Sequence, residues 1–176
     1  MVTLCKEDIL HLYAIKDSER TSALIGWMLS EMPLHDIDNA FRVASYLAQI
    51  GHESGCLRYV EEIASGARYE GRKDLGNVRP GDGKRFKGRG LIQITGRANY
   101  ARCAEALGID CLRQPQMLCQ PEWAVKSSMW YWDEYELNSY ADDDDLKGQT
   151  RVINGGYNGY EERERLYVNA LTMLGA

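Results

Sequence analysis

Three glutamates, Glu53, Glu61 and Glu62, are suited to acid–base chemistry. Glu53 follows an apolar stretch and stands two residues before Gly55, whereas Glu61 and Glu62 lie eight and nine residues further on. On one continuous helix Glu62 would point about 180° away from Glu53, because each residue advances about 100°. Both can face one cleft only if the helix ends between them, and Gly51 and Gly55 favour such a break.

Two carboxylates on either side of a cleft suit the cleavage of a glycosidic bond. One carboxyl stays protonated and donates to the leaving oxygen, while the other stays ionised and activates water or stabilises positive charge on the sugar. Adjacent glutamates are more often a solvated surface, and a histidine such as His52 is more often structural. These residues alone therefore do not define a site.

The elements that would position these glutamates are mostly helical. Apolar residues recur at intervals of three and four along several segments, which is the spacing of a helix with one buried face. The clearest segment, residues 38–51, leads directly to Glu53 and would anchor it in the core. The predicted helices cover residues 4–16 with Thr3 as N-cap, 20–31, 38–51, 97–107 ending at Gly108, 121–137 and 159–174.

The middle of the chain has the composition of turns and loops, with eight glycines between residues 66 and 96. One apolar segment within it, residues 91–95, predicts a short strand. Alternation along that strand would place Gln93 and Thr95 on one polar face. A small β-element among helices predicts an α+β fold that is predominantly helical.

Charge is distributed unevenly along the chain. The total is −5, from 21 Lys and Arg against 26 Asp and Glu. Residues 58–102 hold 11 basic and 5 acidic side chains, whereas the flanking segments 1–57 and 103–176 are both acidic. A globally acidic chain is a poor partner for nucleic acid, since phosphate contacts need Lys and Arg. A basic cleft in an acidic protein would attract carboxylates locally.

Metal and cofactor chemistry find little support in the sequence. The five cysteines form no Cys-x-x-Cys pair and predict reduced, mostly buried thiols. The acidic run 142–145 fails as a calcium loop, because Lys147 and Asn154 stand where oxygen ligands are needed, so it predicts a solvated loop before a helix. The basic run 84–89 lacks the Gly-Lys-Ser/Thr of a nucleotide loop. We expect no cofactor and no metal.

Three segments of the chain form recognisable motifs. They are His52-Glu53-Ser54-Gly55 with Glu62 nine residues after Glu53, then Gly88-Arg89-Gly90-Leu91-Ile92-Gln93-Ile94-Thr95-Gly96-Arg97-Ala98-Asn99-Tyr100, and finally Ile153-Asn154-Gly155-Gly156. Together they resemble family 19 glycoside hydrolases, the chitinase class with a lysozyme-like fold that includes many bacteriophage endolysins. The compact length and the loops at 69–77 and 81–83 resemble the endolysin branch. The resemblance covers about residues 40–176, and residues 1–39 add helices, so we expect a single catalytic domain over 1–176.

The resemblance implies roles for individual residues. Glu53 matches the general acid, and Glu62, which the spacing favours over Glu61, matches the general base that activates water. Thr95 matches a Ser or Thr that helps to hold this water. Because the family inverts configuration, the two carboxyl groups are expected about 6.5–9.5 Å apart, with the small β-element beside the cleft.

The resemblance also implies contacts to the substrate and to the second carboxylate. Arg163 matches an arginine near that carboxylate, where its charge would keep Glu62 ionised at neutral pH. The polar substrate-binding positions are matched by His52, Gln93, Asn99 and Asn154, and Arg163 is grouped with them.

The resemblance implies a peptidoglycan hydrolase that cuts β-1,4 bonds between N-acetylmuramic acid and N-acetylglucosamine. Ala98 stands where chitinases have a tyrosine, and the loops that build extra subsites in plant enzymes are largely absent. A short, open cleft suits a cross-linked polymer whose peptide stems carry carboxylates. The alternatives are a lytic transglycosylase giving 1,6-anhydro products, a chitinase, and a non-catalytic wall-binding or nucleic-acid-binding module.

The N-terminal residues argue against a secretory leader, because charge precedes any apolar run. No stretch approaches the ~20 apolar residues of a membrane span. We therefore expect synthesis in a bacterial host cytoplasm without a signal peptide. After release, the chain would act as a monomer on peptidoglycan in the periplasm or cell wall, with no membrane insertion.

Overall fold

The computed structural model describes residues 2–176, and over this range the chain is predominantly helical. None of the helices in these residues is long and apolar enough to span a bilayer. The helices are α1 (Lys6–Leu12), α2 (Glu19–Glu31), α3 (Ala40–Glu53), α4 (Asp82–Arg85), α5 (Arg97–Leu107), α6 (Pro121–Glu134), α7 (Leu137–Asp142), α8 (Leu146–Asn154) and α9 (Tyr160–Leu174), with short 3₁₀ helices at Met32–His35, Ala67–Tyr69, Lys73–Leu75 and Pro115–Cys119.

The central helix of the fold is α3. Every residue from Val43 to Gly51 is buried, and a helix buried on all sides must be surrounded by other elements. Its most extensive partner is α9, while α2 packs along α6. The hydroxyl of Tyr13, just after α1, donates to the Leu47 carbonyl at 2.6 Å, so the N-terminal helices share the same core. The domain boundaries themselves stay a prediction.

Close approach of the helices around α3 requires glycine at position 51. A Cβ atom there would lie 2.8 Å from Tyr13 Cε1 and 2.9 Å from Leu166 Cδ1. The predicted helix break at Gly51 is therefore wrong, since α3 continues without interruption to Glu53. The glycine serves packing rather than chain reversal.

The chain reverses immediately after α3. Gly55, Cys56 and Leu57 all have positive φ, at 58°, 57° and 63°, so three successive residues adopt the left-handed conformation. The Ser54 hydroxyl stabilises this reversal by donating to the Ile50 carbonyl at 2.6 Å and accepting from the Leu57 amide at 2.8 Å. The predicted break at Gly55 is confirmed, and it separates Glu53 from the later glutamates.

The β-element consists of isolated bridges. Arg89 forms antiparallel bridges with Glu61 and with Ile94. The predicted strand over residues 91–95 is wrong, because residues 90–93 form a turn in which Gln93 has φ of 58°. Only four residues separate the bridge partners Arg89 and Ile94, so the chain must reverse between them. The helix-rich α+β class with a small β-element is confirmed.

Several predicted boundaries shift by a few residues. The first helix covers 6–12 rather than 4–16, with Cys5 rather than Thr3 at its N-cap, and it ends before Ala14, whose φ is 49°. The predicted helix 121–137 ends at 134. The acidic run 142–145 joins two helices, and Asp145 caps α8 by accepting a hydrogen bond from the Gly148 amide at 2.7 Å.

We predict that Gly51→Ala destabilises the protein by about 2 kcal/mol, because the added methyl group overpacks a filled interface. Urea unfolding measures the change. Gly26→Ala is the matched control, since Gly26 lies exposed in α2 with no atom within 4 Å of its Cβ position. That variant should gain about 0.5–1 kcal/mol from helix propensity. Equal effects of the two substitutions would contradict the packing role of Gly51.

Candidate active site

Glu53 lies at the C-terminal end of α3, with 16% of its side chain exposed. Its Oε1 accepts a hydrogen bond from Nη2 of Arg163 at 2.5 Å, and Arg163 itself is fully buried on α9. Nη1 of Arg163 donates to Gln49 Oε1 at 2.5 Å. Gln49 and Glu53 are four residues apart and share one face of α3, so a single guanidinium holds both.

Behind this ion pair, a buried polar network reaches α8. Gln49 Nε2 lies 3.1 Å from both Gln149 Oε1 and Thr150 Oγ1. Gln149 in turn donates to the Leu137 carbonyl at 3.0 Å, and Thr150 donates to the Leu146 carbonyl at 2.8 Å. This network has no motif in the sequence, although the placement of Gln49 one helical turn before Glu53 puts both side chains on one face of α3.

Tyr131 on α6 forms part of the surroundings of Glu53. Burial raises the pKa of Tyr131 well above its usual range, and the neighbouring Tyr135 and Glu53 raise it further. The phenol therefore stays neutral, and it donates to the Val152 carbonyl at 3.3 Å. This residue, too, had no sequence signal of its own.

The position of Arg163 corrects one prediction. The resemblance placed it beside the second carboxylate, Glu62, but the structure pairs it with Glu53. The reason is that α9 packs along α3, whose C-terminal end carries Glu53, whereas Glu62 lies on the loop beyond the reversal. The cation beside Glu62 is Arg68.

Glu62 is surrounded by hydrogen-bond donors. Its Oε1 accepts from Arg68 Nη2 at 3.0 Å and from the Tyr69 hydroxyl at 3.2 Å, while Oε2 accepts from the Gly88 amide at 3.2 Å. The side chain is 14% exposed. An ionised carboxylate is an acceptor only, so three donors match that form.

Glu61, the alternative to Glu62, has a structural partner. Its carboxylate is 44% exposed and lies 3.0 Å from Arg89 Nη2 and 3.4 Å from Lys87 Nζ. Arg89 is buried and also donates to the Tyr100 hydroxyl at 3.0 Å. Glu61 therefore neutralises a buried arginine within the β-element, whereas Glu62 turns toward Gly88.

Gly88 is the point at which the predicted polar residues meet. A Cβ atom at this position would lie 2.7 Å from Gln93 Oε1 and 3.3 Å from Thr95 Oγ1, and the Gly88 amide already binds Glu62. Thr95 Oγ1 donates to the Gln93 carbonyl at 2.8 Å, and Asn99 Nδ2 donates to the Thr95 carbonyl at 2.8 Å. The structure therefore gathers these four predicted side chains in one place, through a turn rather than a strand.

The two remaining predicted residues have different environments. His52 Nδ1 lies 2.7 Å from Glu162 Oε2, and its ring packs directly against Gly159, where no side chain would fit. Asn154 is exposed at the end of α8. Within residues 2–176, no group of three or more His, Cys, Asp or Glu side chains is arranged to hold a metal ion.

Comparison with known proteins shows the family to which the chain belongs. The model of glycoside hydrolase family 19, described as chitinase class I, matches residues 38–151. A family 19 domain-containing protein of Haemophilus influenzae is 34% identical over 160 residues, covering 73% of this chain and 78% of the relative. The chain is a glycoside hydrolase. It belongs to glycoside hydrolase family 19.

Other matches cover a smaller share of the relative or have lower identity. Endochitinase At2g43620 of Arabidopsis thaliana is 40% identical over 116 residues, and the chain spans only 39% of that protein's length. Chitinase C from Streptomyces griseus has a TM-score of 0.79 and 22% identity, covering 98% of this chain and 76% of that one. A second bacterial family 19 chitinase gives the same TM-score and identity, with 95% of its chain covered. These structures support the lysozyme-like fold.

We predict that Gln49→Leu lowers the free energy of unfolding by about 2 kcal/mol, because Nη1 of Arg163 and Oε1 of Gln149 would be buried without a partner. Urea unfolding provides the measurement. The control is Arg72→Gln, which breaks an exposed ion pair with Asp74 and should change stability by less than about 0.5 kcal/mol. A Gln49 variant as stable as the control would show that the network contributes nothing.

Proposed function

We propose that this glycoside hydrolase cleaves peptidoglycan by an inverting reaction in which Glu53 is the general acid and Glu62 the general base. The observation that carries the proposal is the contrast between the two carboxylates. Glu53 is held from one side by a buried arginine, whereas Glu62 accepts three hydrogen bonds beside Thr95 and Gln93.

The position of Glu53 suits proton donation to the glycosidic oxygen. Only its Oε1 is hydrogen-bonded within the described residues, so Oε2 can carry the proton toward the substrate. The C-terminal end of a buried helix keeps this atom in place, which lowers the entropic cost of reaching the transition state.

Thr95 suits the binding of the attacking water. Its hydroxyl hydrogen is used by the Gln93 carbonyl, so the oxygen is left to accept. A water that donates one hydrogen to Thr95 and the other to Glu62 keeps a lone pair free for the anomeric carbon. Glu62 then takes the proton as the bond to the leaving oxygen breaks.

One feature favours peptidoglycan as the substrate. The basic segment 58–102 suits the carboxylates of peptide stems. We propose further that the chain is an endolysin acting on the wall after release from the cytoplasm. Chitin is the second candidate, because several relatives are named endochitinases.

Mass spectrometry of digested peptidoglycan tests the proposed reaction. The expected products have reducing N-acetylmuramic acid ends, and Glu53→Gln should yield none. Products ending in 1,6-anhydro sugar would instead indicate a lytic transglycosylase. Cleavage of chitin oligosaccharides with intact peptidoglycan would indicate a chitinase, and an inactive wild type on both polymers would leave only a binding role.

We predict that Glu62→Gln lowers kcat on the cleaved polymer by about 10²–10⁴-fold, which is the usual contribution of a general base. Release of reducing ends at saturating substrate gives the measurement. Glu61→Gln is the matched control, since it removes the neighbouring carboxylate from its partner Arg89 and should keep most of the activity. Unimpaired turnover in the Glu62 variant would rule out its role as base.

A further inference from the structure

An arginine-lined pocket lies apart from the two carboxylates. It is open, has a volume of about 510 Å³, and is bordered by the start and end of α4, the start of α5 and residues 112–113. Neither candidate catalytic carboxylate lines it, nor do the polar residues gathered at Gly88. Its charged lining consists of Arg79, Asp82, Arg85, Arg97 and Arg113.

The pocket carries a surplus of positive charge. Asp82 is buried, and its carboxylate is paired with Arg97 through Nε at 2.8 Å and Nη2 at 2.5 Å. The hydrogen bond from Arg97 lowers the pKa of Asp82 below its usual range, so the two charges cancel. Arg79, Arg85 and Arg113 remain, and within residues 2–176 the only ion pair that any of them forms is an exposed 3.7 Å contact of Arg113 with Asp110.

One guanidinium of this pocket is already oriented. Nη2 of Arg85 donates to the carbonyls of Leu112 and Arg113 at 3.0 and 2.9 Å, and Nε lies 3.4 Å from the Leu112 carbonyl. Within residues 2–176, Nη1 of Arg85 forms no hydrogen bond, so its two N–H groups stay available. A fixed guanidinium loses little side-chain entropy on binding.

The side chain of Arg97 is held in place as well. Phe86 is fully buried, and the guanidinium carbon of Arg97 lies 4.7 Å from the centre of its ring. Arg79 is fixed at the backbone, where its amide donates to Asp82 Oδ2 at 3.0 Å, while its side chain is exposed. The oriented guanidinium of Arg85, together with the exposed side chains of Arg79 and Arg113, is suited to a planar or tetrahedral oxyanion, which guanidinium groups bind with paired hydrogen bonds.

We propose that this arginine pocket binds an oxyanion, either a carboxylate or a phosphate. The pocket accounts for part of the basic surplus in residues 58–102, because Arg79 and Arg85 form no ion pair within residues 2–176. Its use during wall cleavage rests on the proposed function. During wall cleavage the pocket would hold a charged substituent of the polymer while the glycan strand occupies the cleft.

Binding of inorganic phosphate to the full chain, followed by NMR titration, is the first test. Wild type should bind saturably, and the double variant Arg79→Gln/Arg113→Gln should bind at least about tenfold more weakly. These two side chains make no contact that the fold needs. The double variant Lys73→Gln/Lys84→Gln is the matched control. It also removes two exposed positive charges, from residues of the basic segment 58–102 that do not line the pocket.

Two results overturn the proposal. One is non-saturable phosphate binding by the wild type, and the other is phosphate binding that is weakened equally in both double variants. Parallel titrations with an acidic stem peptide and with glycerol 3-phosphate then identify the source of the oxyanion. Preferential binding of the peptide assigns a carboxylate, and preferential binding of glycerol phosphate assigns a phosphate.

Activity measurements connect the pocket to the proposed function. If wall cleavage uses the pocket, the arginine double variant slows cleavage of stem-bearing peptidoglycan and leaves cleavage of uncharged chitin oligosaccharides unchanged. A wild type that binds phosphate but leaves peptidoglycan intact refutes the proposed function and supports the pocket. A wild type that cuts peptidoglycan without saturable oxyanion binding refutes the pocket alone.

Discussion

The position of Glu53 at the end of α3 depends on its ion pair with the buried guanidinium of Arg163. It binds Gln49 and Glu53 at once, from the helix that packs most extensively along α3. The negative end of the α3 dipole disfavours an ionised Glu53 and so offsets part of the stabilisation that Arg163 gives to the carboxylate. Because Gln49 continues the network to Gln149 and Thr150, three helices share one polar cluster. Loss of any member would leave buried polar atoms without partners, which makes the cluster cooperative.

The second carboxylate depends on backbone geometry instead of helix packing. Glu62 is bound by the amide of Gly88, a position at which any side chain would collide with Gln93. The segment that contains Gly88 forms only isolated β-bridges. The buried side chain of Arg89 nevertheless connects this segment to Glu61 and to α5. One candidate acid thus lies on a rigid helix, and the candidate base lies on a cross-linked loop. Separate supports allow the two groups to stand apart with room for substrate and water between them.

The helices were the most predictable part of the fold, because apolar spacing depends on residues within one or two turns. The helix Arg97–Leu107 was predicted at both ends, and its stop at Gly108 follows from the left-handed C-cap. The helix break predicted at Gly51 was wrong. Glycine is suited both to a helix break and to a close contact between helices, and the side chains packed on Gly51 come from distant parts of the sequence. The strand predicted to contain Gln93 was wrong, because the pairing of Arg89 with Ile94 forces the chain to turn and gives Gln93 a left-handed backbone conformation.

Sequence alone is enough to predict the family, the helical segments and the polar residues that gather at Gly88. Local periodicity and long motifs are properties of neighbouring residues, so they can be identified without coordinates. Coordinates are needed to see that Arg163 pairs with Glu53, that Glu61 binds Arg89, and that arginines from three segments line one pocket. These contacts join residues that are distant along the chain. Arg163 and Glu53 are 110 residues apart, and their contact exists only because α9 packs along α3.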